Sequence, residues 1–393
     1  MSLFEKCYRY TMAREVQAAG YYPYFAPIEE SFDTEVMIRG ERKVMVGSNN
    51  YLGLTHHPKV IEAAKAALHR YGSGCTGSRF LNGTLDLHEL LEDRLAKFMS
   101  QESALVFSTG FQANLGALSA LVGRDDHLFS DKLNHASIVD GSRLSFGVVH
   151  RFPHGDLRSL ERELARTPAE AGKLIVTDGI FSMEGSICDL PGIMALAELY
   201  GAEVLVDDAH AFGVLGERGG GTAQHFGLED RVSLVMATFS KSLASIGGVI
   251  AGPEDVIHYL KHHARSLIFS ASMPPASVAG TLAALDVIEE EPERREKLWA
   301  NTRRMQDGLR SLGYDIGKSE TPIIPVQVGE LQRMLVFWRT LFDAGVFTNP
   351  VTPPAVPENS CCLRISCMAT HTDDHIDFVL DAFANIGKKM AVI

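Results

Sequence analysis

Lys241 is the one lysine in MATFSKSLASIGG (236–248), wedged among small and hydroxyl residues. A solvated lysine needs no such setting, and a core has no use for an ammonium without a partner. The apolar run SLVMA precedes it, and two glycines lead into VIAG. The lysine therefore sits on a tight connection at a strand end, where reactive groups of α/β proteins gather. A second run, VDDAH (206–210), closes another apolar stretch with two acids and a histidine. Taken alone, Asp207 and Asp208 fit solvated residues or caps of a following helix as well as they fit a site. Taken with Lys241, they form the minimum kit for pyridoxal phosphate. The lysine holds the cofactor as an imine, and the aspartate keeps the ring nitrogen protonated so that the ring can absorb electrons from a carbanion.

A phosphate needs donors. STGFQAN (108–114) puts Gly110 and Phe111 at a strand-to-helix junction, where free backbone N–H groups make a phosphate seat. An ordinary glycine turn fits the same letters. Thr238 and Ser240 add hydroxyls beside Lys241. DKLNHASIVDG (131–141) carries His135 after the apolar run HLFSD. That histidine reads either as a structural residue or as one that stacks on the cofactor ring and moves protons. CLRISCMATHT (362–372) places Arg364 in a strand, where an arginine wants an anion: a structural ion pair or a substrate carboxylate. GSGCTG (72–77) matches the glycine spacing of a dinucleotide loop, but a helical pattern precedes it where that loop requires a strand. The adjacent pairs His56-His57 and His262-His263 read as surface residues, and no metal is expected.

The elements that position these residues are legible as short apolar runs alternating with helical patterns. ALVFST (104–109), HLFSD, KLIVTDG (173–179), EVLVDDAH, SLVMATFS and GGVIAG read as strands. HPKVIEAAKAALHRY, DLHELLEDRLAKFM (with Asp86 as N-cap), FQANLGALSALV and LPGIMALAELYG read as helices. Such alternation predicts an α/β fold with a mostly parallel central sheet and helices on both faces. Residues 1–57 read as an N-terminal arm and 58–290 as the large domain. A smaller C-terminal α+β domain follows over 291–393, with strands PIIPVQV and CLRIS. The net charge of −12 excludes broad nucleic-acid or anionic-membrane binding. Six cysteines without a CxxC pair predict reduced thiols in a cytoplasmic protein. Charges interrupt the opening residues, which predicts no signal peptide, and no run reaches the roughly 20 apolar residues of a membrane span.

SNNYLGL (48–54), GSGCTGSRFLNGT (72–84), STGFQAN, DKLNHAS, TDGIFSMEG (177–185), VDDAHAFG, TFSKS (238–242) and PAVPENSCCLRIS (354–366) together resemble the α-oxoamine synthases, a branch of the fold-type I pyridoxal-phosphate transferases. These eight runs follow one order over nearly the whole chain. The family joins an amino acid to an acyl-CoA thioester and loses the amino acid's carboxylate. The resemblance implies that Lys241 carries the cofactor, Asp207 pairs with its ring nitrogen and His210 bonds its phenolic oxygen. It implies that His135 stacks on the ring, and that Gly110, Phe111 and Ser240 seat the phosphate. Ser182 and Thr238 would line the cofactor, Arg364 would hold the substrate carboxylate, and Asn50 would lie near the reacting centre. It further implies a homodimer with the active site at the interface and donors from the partner's GSGCTGSRFLNGT run.

The flanking runs over 21–54 and 347–372 resemble the soluble members that use serine and a long-chain acyl-CoA, releasing CoA and CO2 and leaving a 3-keto amino alcohol. The alternative is glycine or alanine with a different acyl-CoA. Membrane contact is expected to be peripheral at most. An inactive scaffold is the reading from another class, and the intact set Lys241, Asp207, His210, His135 and Arg364 argues against it. An aminotransferase or aldolase on the same fold is separated by CoA release.

Overall fold

A computed structural model describes residues 2–353, 355–356 and 359–393. Three residues of the run PAVPENSCCLRIS, namely Pro354, Pro357 and Glu358, lie outside the described residues. The chain divides into two compact units: residues 49–297, and residues 1–48 together with 298–393.

The 49–297 unit is built on a seven-stranded sheet. Its spatial order is Ser103–Phe107, Gly248–Gly252, Leu234–Thr238, Glu203–Asp207, Lys173–Asp178, His127–Asp131, Val148–Phe152. Every strand runs the same way except Gly248–Gly252, which is antiparallel to both neighbours. Strands Lys173–Asp178, Leu234–Thr238 and Gly248–Gly252 are buried along their whole length. That is why they read as unbroken apolar runs: helices cover both faces, so no position alternates toward water. The edge strand Val148–Phe152 is mostly exposed, has no such run, and escapes the sequence reading.

The reversed strand matters for the site. Parallel neighbours need a crossover of a dozen or more residues, whereas antiparallel neighbours can be joined tightly. Leu234–Thr238 therefore returns into Gly248–Gly252 through nine residues, Phe239–Gly247, that carry Lys241. Gly247 closes that connection at φ 135°, and a Cβ there would meet Phe239 at 2.4 Å, so only glycine fits.

The second unit joins the two ends of the chain. Strands Glu35–Ile38 and Glu41–Met45 form a hairpin, and Val346–Phe347 pairs in parallel with the latter. Ile323–Gly329, Cys361–Ser366 and Asn349–Val351 form a three-stranded antiparallel sheet. The sequence reading divides the chain differently, into an arm and two domains. The first 48 residues are not a separate arm, because that parallel pairing binds them to the C-terminal segment. The later cut, between Lys297 and Leu298, falls inside the helix Glu293–Leu312, whereas the sequence reading put a boundary at 290/291, between two helices. Asp86 is not the N-cap of its helix either. Leu85 precedes the helix and gives its N–H to His88 Nδ1 at 3.0 Å, while Asp86 is the first helical residue and accepts the Tyr71 hydroxyl. The glycine-rich run 72–77 follows the helix Pro58–Tyr71, not a strand.

Each unit is tied by one buried, neutral histidine. His88 accepts the Leu85 N–H and donates from Nε2 to Met273 O at 3.0 Å. His371 accepts the Met368 N–H and donates from Nε2 to Met45 O at 3.0 Å. Burial pushes both rings down to about 4, with Arg79 adding to the effect at His88. An unfolded histidine titrates near ~6.5, so each ring's contribution is fully present above that pH and is lost as pH falls toward 4. The expected outcome is a fall in unfolding free energy of about 1.5 kcal/mol per histidine between pH 6.5 and 5, the slope rising toward ~1.4 kcal/mol per pH unit. Urea unfolding across that range checks it. His88→Gln should be less stable at pH 7 and show a shallower acid slope.

Candidate active site

The carboxyl ends of the parallel strands open on a cavity of about 320 Å³. Its wall includes Gly110, Phe111, His135, Ser182, Asp207, His210, Thr238, Ser240 and Lys241. All nine residues that the sequence assigned to a cofactor thus share one cavity, although they come from separate stretches of chain.

Two further assignments, Asn50 and Arg364, are not among the residues described as lining it. Asn50 is buried, and its side chain serves its own turn: Nδ2 donates to Thr55 Oγ1 at 2.9 Å and Oδ1 accepts the Leu54 N–H at 3.0 Å. It does not belong to the wall described for this cavity. Arg364 belongs to the other unit, where it is buried in strand Cys361–Ser366 and donates to Ser366 Oγ at 3.0 Å.

The two acids of VDDAH take different roles. Asp207 lines the cavity with both carboxylate oxygens engaged: Oδ2 accepts from Asn114 Nδ2 at 2.7 Å and Oδ1 from the Ala209 N–H at 2.9 Å. Asp208 instead takes the N–H and hydroxyl of Thr222 at 2.8 and 2.6 Å, at the start of helix Thr222–Phe226. The plain helix-anchoring role is therefore right for Asp208 and incomplete for Asp207. Burial pushes Asp208 up to about 7.

Asp178 ends the neighbouring strand in register with Asp207 and also lines the cavity. Burial first, and then the charge of Asp207, raise it well above the usual carboxylate range. Two carboxylates this close in a dry wall do not share the charge equally. Asp178 Oδ1 accepts the His135 backbone N–H at 3.3 Å, which fixes the start of helix Ala136–Leu144.

Gly110 opens the helix Gly110–Leu121. Thr109 Oγ1 accepts the Gln112 N–H, and the helical ladder starts with Ala113 N–H on Thr109 O. That arrangement leaves the first-turn N–H groups of Gly110 and Phe111 to an anion. A Cβ on Gly110 would sit 2.8 Å from both Thr238 Cβ and Oγ1, so glycine is required for the helix start to approach the Lys241 connection. The Thr238 and Ser240 hydroxyls lie 3.1 Å apart at the same end. An anion seat, a cavity-lining lysine and a carboxylate held by two donors fit pyridoxal phosphate in kind and in order.

Three polar residues escaped the sequence reading. The Tyr51 hydroxyl bonds His210 Nδ1 at 2.7 Å, with Tyr51 1% exposed. Asn114 holds Asp207, and Ser137 bonds both Asn114 and His135 Nδ1. The only signal was position: Asn114 stands four residues after Gly110 on one helix face, and Ser137 two after His135.

Comparison with known proteins follows the same lines. The family of "aminotransferase class I and II" matches residues 41–383. A serine palmitoyltransferase of Sphingobacterium spiritivorum is 52% identical over 99% of this chain and 98% of its own length. An 8-amino-7-oxononanoate synthase of Thermoanaerobacter pseudethanolicus is 42% identical over 96% of each. A solved structure of SPT with PLP internal aldimine superposes at TM-score 0.97, with 36% identity and full coverage of both chains.

Gly110→Ala should cost roughly tenfold or more in pyridoxal-phosphate affinity, because overpacking at a rigid contact costs ~1–3 kcal/mol. Titrating the cofactor's visible absorption against the purified variant checks it.

Proposed function

The chain belongs to the aminotransferase class I and II family, in its α-oxoamine synthase branch, and on that premise we propose that it joins L-serine to a long-chain acyl-CoA such as palmitoyl-CoA. The observation that carries this reading is the meeting of Lys241, Asp207, His135 and the Gly110 helix start in one cavity. The 52% identity over the full chain supports serine as the amino acid.

Pyridoxal phosphate, when bound, supplies an electron sink that lets the amino acid's α carbon carry a carbanion. The residues of the chain divide the remaining work. Lys241 Nζ takes the proton from the α carbon of serine, for which it must be neutral, and a proton returns to that carbon after decarboxylation. Asp207 would keep a proton on the ring nitrogen, and its two donors, Asn114 and Ala209, hold its carboxylate in place. His210, oriented by Tyr51, would bond the phenolic oxygen. His135, edge-on to Phe111 with 6.3 Å between their ring centres, would stack on the cofactor. The Gly110 and Phe111 N–H groups and the Ser240 hydroxyl bind phosphate, and Thr238 and Ser182 line the cofactor. Arg364 holds the carboxylate of serine until it leaves, and Asn50 shapes the turn beside the reacting centre. In the net reaction a C–C bond forms between the serine α carbon and the acyl carbonyl. The thioester C–S bond breaks with release of CoA, and the carboxylate departs as CO2.

We assign the active form to a homodimer with its active site at the interface. In support, Phe80 and Leu81 on the glycine-rich run are 50% and 78% exposed, as an interface would leave them in a single chain. No helix among the described residues is long and apolar enough to cross a membrane. A cytoplasmic protein with at most peripheral membrane contact is the matching proposal.

The second reading keeps the chemistry and changes the substrates to glycine or alanine with another acyl-CoA, as the 42% identity to 8-amino-7-oxononanoate synthase suggests. Thiol release separates the two. Purified protein with pyridoxal phosphate and palmitoyl-CoA should release CoA with serine and not with glycine or alanine; the reverse pattern overturns serine. Lys241→Ala should lower the rate by about 10³-fold or more. Arg364→Lys should raise the serine KM roughly tenfold, since lysine cannot reproduce the bidentate fork.

A further inference from the structure

Asn114 is wholly buried, and its amide nitrogen commits both hydrogens: one to Asp207 Oδ2 at 2.7 Å, one to Ser137 Oγ at 2.8 Å. Its Oδ1 meets no hydrogen-bond partner among the described residues. Buried polar atoms are almost always paired, and exceptions concentrate where function demands them. An asparagine kept only for packing would have no reason to leave its acceptor empty while crowding two donors toward the cavity wall.

Ser137 Oγ accepts from Asn114, so its own hydrogen is free for His135 Nδ1, 2.7 Å away. The Ser137 backbone N–H points at the same nitrogen from 3.3 Å. Two donors converge on Nδ1, so that nitrogen is an acceptor and the ring's proton resides on Nε2. We propose that Asn114 and Ser137 are positioning residues forming one relay, Asp207–Asn114–Ser137–His135, that ties the carboxylate of Asp207 to a single neutral tautomer of His135.

The relay rests on the functional reading above and adds to it the reason the ring beside the cofactor stays neutral. The charged and titratable groups acting on His135 are Asp207, Lys241 and Asp178, the last through the His135 backbone N–H. Burial is the largest influence and lowers its affinity for a second proton, Lys241 acts the same way, and Asp207 opposes them. A second proton on this ring would require Ser137 to turn both of its donors away from Nδ1. Asn114 makes that costly, because it already occupies the Ser137 oxygen as a donor.

The test reads the ring directly. Wild type, Ser137→Ala, Ser137→Thr and Asn114→Ala are labelled with ¹⁵N-histidine, and His135 is assigned by comparison with His135→Gln. Ring-nitrogen shifts are followed against pH, first without and then with pyridoxal phosphate. In wild type and Ser137→Thr, Nε2 should carry the proton throughout the neutral range. In Ser137→Ala the pH at which the ring gains its second proton should rise by about half a unit or more, because a donor to the neutral form is gone. Asn114→Ala should do the same and bind pyridoxal phosphate roughly tenfold more weakly, as loss of a supporting partner does. An unchanged tautomer and midpoint in Ser137→Ala overturns the relay, even if Asn114→Ala does not fold. These readings need neither serine nor acyl-CoA, so their failure is distinct from a failure of thiol release.

Discussion

Three neighbouring parallel strands each end in a buried aspartate, Asp131, Asp178 and Asp207, and the last two line the cavity. Packing that much acid into a dry wall is the constraint around which the site is arranged. Each carboxyl meets it differently. Asp131 pairs with His154 at 3.1 Å and accepts the N–H groups of Leu133 and Gly155, and the histidine is raised in turn. Asp178 is driven toward its neutral form by burial and by Asp207. Asp207 receives two N–H donors and faces the cavity. The Asp207 carboxyl is left facing the space a cationic ring would fill, and its neighbours are turned to other partners.

The rest of the site follows from that placement. The helix Gly110–Leu121 presents its first turn to the phosphate end and Asn114, one turn later, to Asp207. One element thus sets the distance between the anion seat and the carboxylate. The hairpin after Leu234–Thr238 brings Lys241 to the same cavity, and Gly110 lets helix and hairpin touch.

The strands were legible in the sequence because burial on both faces turns each into an unbroken apolar run. Val148–Phe152 was not, because an exposed edge has no such run. The pairing of Val346–Phe347 with Glu41–Met45 joins residues some 300 apart, and no local pattern announces it. In the site, Lys241, Asp207, His135 and His210 stood out because charged and titratable groups at strand ends are costly without a purpose. Asn114, Ser137 and Tyr51 did not, since neutral polar side chains look alike whether they cap a turn or orient a catalytic group. Asn50 came from the resemblance alone, since a turn-forming asparagine, here bonded to Leu54 and Thr55, carries no local mark of a site.

The reversed strand Gly248–Gly252 also dictates when the cavity can exist. It is the wedge between Ser103–Phe107 and Leu234–Thr238, with Gly248 opposite Phe107 on one side and Thr238 on the other. Until it is inserted, the helix that starts at Gly110 and the connection that carries Lys241 are on strands with no shared neighbour. Non-local pairing of this kind is slow, and a chain emerging from the ribosome has to wait for it. Everything up to about residue 240 can be synthesised and partly collapsed while the pocket has neither its lysine wall nor its anion seat in place. Cofactor capture is thereby coupled to the last strand of the large sheet, and half-made chains have no finished place to sequester a reactive aldehyde.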